Sequence, residues 1–248
     1  MQVWPAIDLL DGKCVRLQQG DYNRDTVFGD DPGAMASKWF EAGAEYLHCV
    51  DLDGARSGSI VNEPAIRAIV RAAQGRPVQL GGGVRDEAAI MRLLELGLSR
   101  LVVGTSALKD PEWFAAMCEK YSGHLVLGLD ARDGMVATQG WLKTSSMPAT
   151  ELVAQIQQLT DDCVAVVFTD ISRDGMLAGP AWDSLAAMHE ISHFPVIASG
   201  GVTSMEDIDR LMAMEIPGCI IGRSLYEGHL DLAAVIERTK GRGAQNVC

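Results

Sequence analysis

The stretch PVQLGGGV at residues 77–84 returns as PVIASGGV at residues 195–202. In both copies a short apolar run ends in consecutive glycines, and the interval from Gly82 to Gly200 is 200 − 82 = 118 residues. An apolar run bounded by glycines is typical of a strand in a parallel sheet, because both faces of such a strand are buried. Each copy therefore predicts a buried strand followed by a glycine turn.

The glycine turns are not the only repeated feature. Three further pairs recur in the same order, namely Asp8 with Asp130, Asp51 with Asp170, and Gly104 with Gly222. Their intervals are 130 − 8 = 122, 170 − 51 = 119 and 222 − 104 = 118 residues. A repeat of nearly constant interval indicates two fused copies of one supersecondary array.

Eight apolar runs alternate with stretches of helical periodicity along the chain. The predicted strands are residues 3–7, 46–52, 77–80, 100–103, 125–129, 164–169, 195–198 and 218–221. Eight β-then-α units without a polar linker predict one TIM (β/α)8 barrel domain over residues 1–240, built from (β/α)4 half-barrel repeats at about 1–122 and 123–240. We favour the closed barrel because an open doubly wound sheet would leave the two halves structurally unequal. Residues 241–248 are expected to form a flexible tail.

The charge balance argues against nucleic acid and membrane partners. The 248 residues carry a formal net charge of −12 at pH 7, which would repel both nucleic acid and anionic membranes. Any anionic ligand must therefore be held by local donors. The six cysteines include no C-x-x-C pair, so we expect reduced thiols and a cytoplasmic protein. A closed barrel without a long exposed apolar segment is expected to be a monomer.

The glycine turns are candidates for phosphate binding. Each follows a predicted strand and precedes a predicted helix, so backbone N–H groups and a helix N-terminus can face an anion without a basic patch. A single turn of this kind could equally be a tight connection without a ligand. Two matched pairs, after the third and fourth strands and after the seventh and eighth, favour a ligand with a phosphate at each end. The residues of these turns are Gly82, Gly83, Gly104, Thr105, Ser199, Gly200, Gly201, Gly222, Arg223 and Ser224.

Two carboxylates stand at equivalent strand ends. Asp8 follows the first strand and Asp130 the fifth, so a barrel places them on opposite sides of one site. Such a pair can divide general base and general acid work when the environment separates the two pKa values. Asp51 and Asp170, after the second and sixth strands, are interpreted as caps of the loops that follow them.

The histidines provide one candidate and one motif that we discount. His48 stands two residues before Val50 and should face the barrel interior with it, which makes His48 a candidate ligand-binding residue. His189 to His193 spells H-E-x-x-H, a pattern that binds zinc when both histidines lie on one helix. This copy precedes the seventh strand, at the opposite face from the glycine turns. We therefore predict no metal site.

Taken together, the motifs resemble the HisA family, the phosphoribosylformimino-5-aminoimidazole carboxamide ribotide isomerases of histidine biosynthesis. The resemblance covers essentially the whole chain, and the combination of motifs is highly specific. The matching stretches are AIDL at 6–9, DGKCVRL at 11–17, GD at 20–21, VDLDGA at 50–55, GGGVR at 81–85, VGT at 103–105, TDISRDG at 169–175 and ASGGV at 198–202.

This resemblance implies an Amadori rearrangement, in which an aminoaldose becomes an aminoketose without a cofactor. It implies that Asp8 is the general base for the C2′ proton and that Asp130 is the acid that assists ring opening. Asp174 matches a position with a competing claim to the acid role. Thr169 would orient the reacting sugar.

The resemblance also implies ligand contacts. Arg16, Arg85 and Trp141 match positions where a first and a fifth loop close over the substrate, and such closure would exclude water from the enolamine intermediate. Gly20 and Gly175 stand within the matching motifs and are assigned to the ligand-binding set. The implied small-molecule substrate carries a phosphoribosyl group at each end, in agreement with the two pairs of glycine turns.

Three alternatives stay open. The related cyclase typically has CLDV in its first strand and Asn-Thr after the fourth, whereas this chain has AIDL at 6–9 and Gly104-Thr105. A dual-substrate isomerase that also converts phosphoribosylanthranilate tends to carry arginine where this chain has Gln139, which favours the single-substrate enzyme. A non-catalytic phosphosugar-binding barrel would have no need for the strand-end carboxylates.

Overall fold

A computed structural model describes residues 1–132, 134–138, 141 and 143–240. Its strands are β1 (Gln2–Leu10), β2 (Lys13–Gln18), β3 (Asp21–Gly29), β4 (Leu47–Asp51), β5 (Val78–Gly81), β6 (Arg100–Val103), β7 (Leu125–Arg132), β8 (Met135–Thr138), β9 (Lys143–Pro148), β10 (Val166–Asp170), β11 (Val196–Ser199) and β12 (Gly218–Ile221). The predicted tail at 241–248 lies outside the described residues.

Eight of these strands close into a parallel barrel. They are hydrogen-bonded in the order β1, β4, β5, β6, β7, β10, β11 and β12, and β12 pairs with β1 to complete the ring. The predicted TIM barrel is therefore confirmed. The sixth barrel strand begins at Val166 rather than at 164, and the second ends at Asp51, because Asp51 caps the helix that follows.

Helices follow the barrel strands and cover the outside of the barrel. They are α1 (Pro32–Glu41), α2 (Leu52–Ser57), α3 (Glu63–Ala73), α4 (Glu87–Glu95), α5 (Thr105–Lys109), α6 (Pro111–Lys120), α7 (Ala149–Leu159), α8 (Trp182–Ile191), α9 (Met205–Ala213), α10 (Arg223–Tyr226) and α11 (Leu232–Lys240). Asp86, Asp110 and Ser204 begin three of them by accepting hydrogen bonds from otherwise unpaired N–H groups. Within the described part of the chain, no helix is long and apolar enough to cross a membrane.

The barrel interior is closed at the amino ends of its strands. Trp4 is fully buried there and packs on Tyr46, with the ring centroids 4.7 Å apart. The Arg100 guanidinium lies over the Trp4 ring at 5.4 Å. A layer of smaller apolar side chains covers this plug, including Ala6, Val167 and Ile220. In the described part of the chain, the cavity therefore opens at the carboxyl ends of the strands.

Each half of the barrel carries a β-hairpin after its first strand. β2 pairs antiparallel with β1 and β3 with β2, while β8 pairs with β7 and β9 with β8. The turn between β1 and β2 is held at its base, because Asp11 N–H donates to Asp53 and Gly12 N–H donates to Asn62, each at 2.8 Å. Loops were predicted at these two places, so the hairpins are elements that the sequence pattern did not predict.

Candidate active site

One cavity of about 220 Å³ opens at the carboxyl ends of the barrel strands. Every residue predicted to act in catalysis or ligand binding lines it. They are Asp8, Arg16, Gly20, His48, Gly82, Gly83, Arg85, Gly104, Thr105, Asp130, Trp141, Thr169, Asp174, Gly175, Ser199, Gly200, Gly201, Gly222, Arg223 and Ser224. His48 and Val50 both face the cavity, which confirms the shared parity predicted for them.

Asp8 lies at the end of β1 in an ion pair with Arg16. The Arg16 side chain reaches back from β2, and its Nη1 donates to Asp8 Oδ2 at 2.6 Å. Its Nη2 donates to the Ala6 carbonyl at 2.9 Å, which fixes the guanidinium against β1. Burial raises the pKa of Asp8, and the Arg16 charge and hydrogen bond act against that rise. Asp8 is thus a buried carboxylate with a cation as its direct partner.

Asp130 occupies the equivalent position at the end of β7, with different neighbours. It is in register with Thr169 of β10. Burial raises the pKa of Asp130, while hydrogen bonding by Trp141 and Thr169 lowers it. Both of these partners are neutral. Among the described residues, the second strand-end carboxylate therefore has no direct cationic partner like the one that Asp8 has.

Asp174 brings a third carboxylate to the same cavity. It lies in the turn after β10, where its N–H donates to the Asp170 carbonyl at 3.1 Å. Burial raises the pKa of Asp174 to about 7, and the charges of Asp8 and Asp130 add to the rise while Arg16 opposes it. At neutral pH this group is therefore divided between its protonated and charged forms.

The paired glycines after β5 and β11 have the left-handed backbone that only glycine adopts readily. Gly82 and Gly83 have φ of 93° and 79°, and Gly200 and Gly201 have φ of 90° and 86°. A side chain at Gly82 would collide with the Asp51 carbonyl oxygen, and one at Gly200 would come within 2.9 Å of the Asp170 carbonyl oxygen. The two halves therefore repeat the turn and also the loop that lies behind it.

The glycines after β6 and β12 do not have a left-handed backbone, and each directly precedes a short helix. Gly104 precedes α5 with φ −108° and ψ −84°, and Gly222 precedes α10 with φ −110° and ψ −104°. These negative φ values do not require glycine, so the reason for glycine here is space. A side chain at Gly104 would lie 3.3 Å from the Gly128 carbonyl, and one at Gly222 would overlap the Arg16 guanidinium.

Residues of the predicted closing loops already meet above the cavity. The Trp141 ring packs against Gly20, where φ is 73° and no side chain would fit. The Gln19 N–H donates to the Asp174 carbonyl at 3.3 Å, which ties the first hairpin to the turn after β10. Arg85 donates to the Ala55 carbonyl at 3.1 Å.

Known proteins with similar sequences identify the family of this chain. A sequence profile described as "Histidine biosynthesis protein" matches residues 2–231. The chain belongs to the histidine biosynthesis protein family. A relative from Rhodopirellula baltica, named 1-(5-phosphoribosyl)-5-((5-phosphoribosylamino)methylideneamino) imidazole-4-carboxamide isomerase, is 53% identical over 95% of this chain and 93% of its own length. Proteins of the same name from Trichlorobacter lovleyi and Gloeothece citriformis are 50% and 48% identical, over 99% and 96% of this chain and 100% and 92% of their own lengths.

Asp51 and Asp170 stabilise the loops that follow their strands and do not line the cavity. Asp51 is fully buried and accepts hydrogen bonds from the N–H groups of Gly54, Val61 and Asn62 and from the Asn62 amide. Asp170 accepts from the N–H and the hydroxyl of Ser172. The interpretation of both as caps of the following loops is confirmed.

The remaining motif of the chain lies away from the cavity. Helix α8 ends at Ile191, so His193 falls beyond it and the H-E-x-x-H residues do not share one helix. Across the described residues, no group of three or more potential metal ligands is brought together. Gln139, on which the single-substrate prediction depends, lies outside the described residues.

Two further polar residues belong to the site and were not predicted from the sequence. Tyr22 of β3 lines the cavity, and its hydroxyl donates to the Leu52 carbonyl at 2.9 Å. Gln79 of β5 lies beneath the cavity, with its amide nitrogen 2.8 Å from His48 Nδ1. Inward parity on the third strand was the available signal for Gln79, whereas Tyr22 reaches the site only through the unpredicted hairpin.

Proposed function

We propose that this chain catalyses the Amadori rearrangement of ProFAR, a bis-phosphorylated aminoaldose, to the aminoketose PRFAR. The observation that carries the proposal is a single cavity in which three carboxylates stand between two opposed pairs of glycine turns. The names of relatives that align over nearly their full length support the same reaction.

The glycine turns would bind the two phosphates of the substrate. The turns after β5 and β6 and those after β11 and β12 lie on opposite sides of the ring of eight strands. Each side offers backbone N–H groups and the start of a short helix, which suit a phosphate without requiring a basic surface. A ligand with phosphates at both ends would therefore stretch across the barrel and place its ribose between the carboxylates.

Asp8 is assigned as the general base. Once the ribose ring has opened to an imine, Asp8 would take the proton from C2′, and the electrons of that C–H bond would form the enolamine. The nearby Arg16 cation favours the charged carboxylate, which is the form that accepts a proton. Delivery of one proton to C1′, together with loss of the proton from the C2′ hydroxyl, would turn the enolamine into the aminoketose.

Asp174 is assigned as the general acid that opens the ring. A pKa of about 7 leaves it partly protonated at neutral pH, so it can donate to the ring oxygen of the ribose as the C1′–O bond breaks. Asp130, held by neutral partners beside Thr169, would then position the sugar and receive its hydroxyl hydrogen bonds. Both assignments agree with the principle that carboxylates in different environments divide acid and base work.

The proposed reaction requires only proton transfers. It moves hydrogen between oxygen, nitrogen and carbon of one molecule, so the substrate is neither oxidised nor reduced overall. We therefore propose that no cofactor or metal takes part.

The decisive experiment is conversion of the purified aminoaldose to the aminoketose in the presence of a chelator and without nucleotide, followed by chromatography. Formation of the aminoketose is expected. Absence of conversion under these conditions would reject the assigned function. Phosphoribosylanthranilate in the same assay measures the substrate range, and we expect no conversion of it.

We further propose that the chain works as a monomer in the cytoplasm, without nucleic acid or membrane partners. The buried free thiols of Cys14, Cys49, Cys118, Cys163 and Cys219 support a reducing compartment, and the net charge of −12 supports the absence of anionic partners. Size-exclusion chromatography with light scattering should return the mass of one chain, 26.6 kDa.

A further inference from the structure

Gln79 is a polar side chain sealed inside the barrel. It is fully buried in β5, in register with His48 of β4 on one side and Arg100 of β6 on the other. Its Nε2 lies 2.8 Å from His48 Nδ1, while its Oε1 is buried without a hydrogen-bond partner among the described residues. A half-satisfied buried amide is unfavourable compared with an apolar side chain of the same size. Packing alone therefore does not explain why a glutamine occupies this position.

The partner of this amide is an uncharged imidazole at the cavity floor. His48 lines the cavity and is only 7% exposed. Burial, together with the Arg16 charge, lowers the pKa of His48 to about 3. Arg16 on β2 is the charged group that acts on it, while Arg100 on β6 is in register with Gln79, and Asp8 on the neighbouring strand β1 is already paired with Arg16. A neutral imidazole has one donor nitrogen and one acceptor nitrogen, so its tautomer decides what it offers to a ligand.

We propose that Gln79 is a positioning residue that holds His48 in the tautomer protonated at Nε2. The Gln79 amide donates to Nδ1, so Nδ1 is the acceptor and the ring proton resides on Nε2. Nε2 makes no hydrogen bond to any described residue and is the ring nitrogen left for a ligand. His48 therefore presents an uncharged donor to the cavity that Asp8 also lines.

The inference rests on the proposed isomerase function, which it deepens. The reacting sugar carries hydroxyl and ring oxygens that accept hydrogen bonds, and an Nε2–H donor would fix one of them beside Asp8. A protonated Nε2 has no lone pair in the plane of the ring, so it cannot compete with Asp8 for the C2′ proton. The opposite tautomer would present a lone pair there and would lose both advantages.

The tautomer is measurable without any turnover. Two-bond hydrogen–nitrogen correlation spectra of the ligand-free chain, labelled with ¹⁵N-histidine, distinguish the two ring nitrogens, and the spectrum of His48→Asn identifies His48 among the five histidines. In the wild type the proton should reside on Nε2 from about pH 5 to about pH 8. Gln79→Glu replaces the donor with an acceptor and should move the proton to Nδ1. A wild-type His48 protonated at Nδ1 would overturn the proposal.

Kinetics with the aminoaldose connects the tautomer to function. Gln79→Met, which keeps the length of the side chain, should lower kcat about tenfold with KM nearly unchanged, because the tautomer is no longer held. Gln79→Glu should add an ionisation to the pH profile of kcat/KM, with activity recovering at lower pH as His48 regains a proton on Nε2. Gln158→Met makes the same chemical change at an exposed site on α7 and should have no effect.

The outcomes separate a positioning role from a structural one. Reduced activity in both Gln79 variants, with the His48 tautomer and the pH profile unchanged, would mean that Gln79 serves only packing and would overturn the proposal. If the wild type fails to convert the aminoaldose, the proposed function is wrong, whereas the spectra still decide the role of Gln79.

Discussion

The two halves of the barrel place a carboxylate at the same strand end and then surround it differently. Asp8 has the Arg16 guanidinium at 2.6 Å, supplied by the hairpin that follows its own strand. Asp130 has Trp141 and Thr169, which are both neutral. A direct cation favours the charged form of a buried carboxylate, and neutral donors do so less strongly. The repeat therefore supplies equal positions, and the side chains around them make the chemistry unequal.

The phosphate turns show the opposite behaviour, because the halves agree closely there. Gly82 and Gly200 have φ values of 93° and 90°, and each turn has the carbonyl of a capping aspartate behind it. The binding of two similar phosphates requires similar turns, whereas an acid and a base require different surroundings. The halves thus differ around the carboxylates, where the proposed reaction needs an acid and a base, and agree at the turns that would bind the phosphates.

The largest effect is expected from neutralising the carboxylate of the first half. In Asp8→Asn the side chain keeps its shape but cannot accept the C2′ proton, so kcat should fall about a thousandfold while KM changes only a few fold. Steady-state kinetics with the aminoaldose measures both constants. Asp161→Asn, the same change at an exposed position after α7 that does not line the cavity, is the control and should retain full activity. Unimpaired turnover in Asp8→Asn would contradict the assignment of the base.

A smaller effect should separate the two candidate acids. A general acid is active in its protonated form, which for Asp174 is present below pH 7 and is lost as the pH rises through its pKa of about 7. The kcat/KM of the wild type should therefore decline on the alkaline side. Asp174→Asn should lower kcat/KM about a hundredfold and abolish that decline, whereas Asp130→Asn should keep it.

The pH profiles of the two variants decide between the two candidate acids, both of which lie in the second half. An alkaline decline that disappears in Asp130→Asn and persists in Asp174→Asn would transfer the acid role to the strand-end carboxylate of the second half. The comparison between Asp8 and Asp130 would then be one between base and acid directly.

The smallest effect is expected when a side chain is added to the glycine turns, and it is an effect on the free energy of unfolding. Gly123 has φ 84° with nothing within 4 Å of an added Cβ, so Gly123→Ala measures the backbone strain alone, about 1 kcal/mol. Gly200→Ala and Gly82→Ala add the collision with a carbonyl oxygen and should cost about 1 kcal/mol more and about 2 kcal/mol more, respectively. Urea unfolding gives the three free energies. Equal losses at all three positions would show that the carbonyls behind the turns are unimportant.

Local patterns predicted those parts of the molecule that depend on neighbours in sequence. The run before Gly82 and the run before Gly200 each formed a barrel strand, because burial on both faces requires a short apolar segment. His48 faces the cavity because side chains alternate along a strand. The hairpins were not predicted, since their strands contain polar residues and pair at the edge of the barrel. Strand β3, for example, is largely exposed.

The contacts that distinguish the carboxylates could not be predicted by periodicity. Arg16 reaches Asp8 only because β2 folds back on β1 through the turn anchored by Asp53 and Asn62. Gln79 reaches His48 only because β4 and β5 are adjacent and in register. Each contact depends on the pairing of segments that lie apart in the chain.

The sequence by itself determined the barrel, its two-fold repeat, the strand-end carboxylates and the glycine turns. These features follow from burial, from side-chain alternation and from the backbone freedom of glycine, all of which act within a few residues. Only the tertiary structure decided which carboxylate has a cation beside it, that the pKa of Asp174 rises to about 7, and that an amide lies under His48. The physical reason is that electrostatic environment depends on distance in space, and closure of the barrel sets those distances.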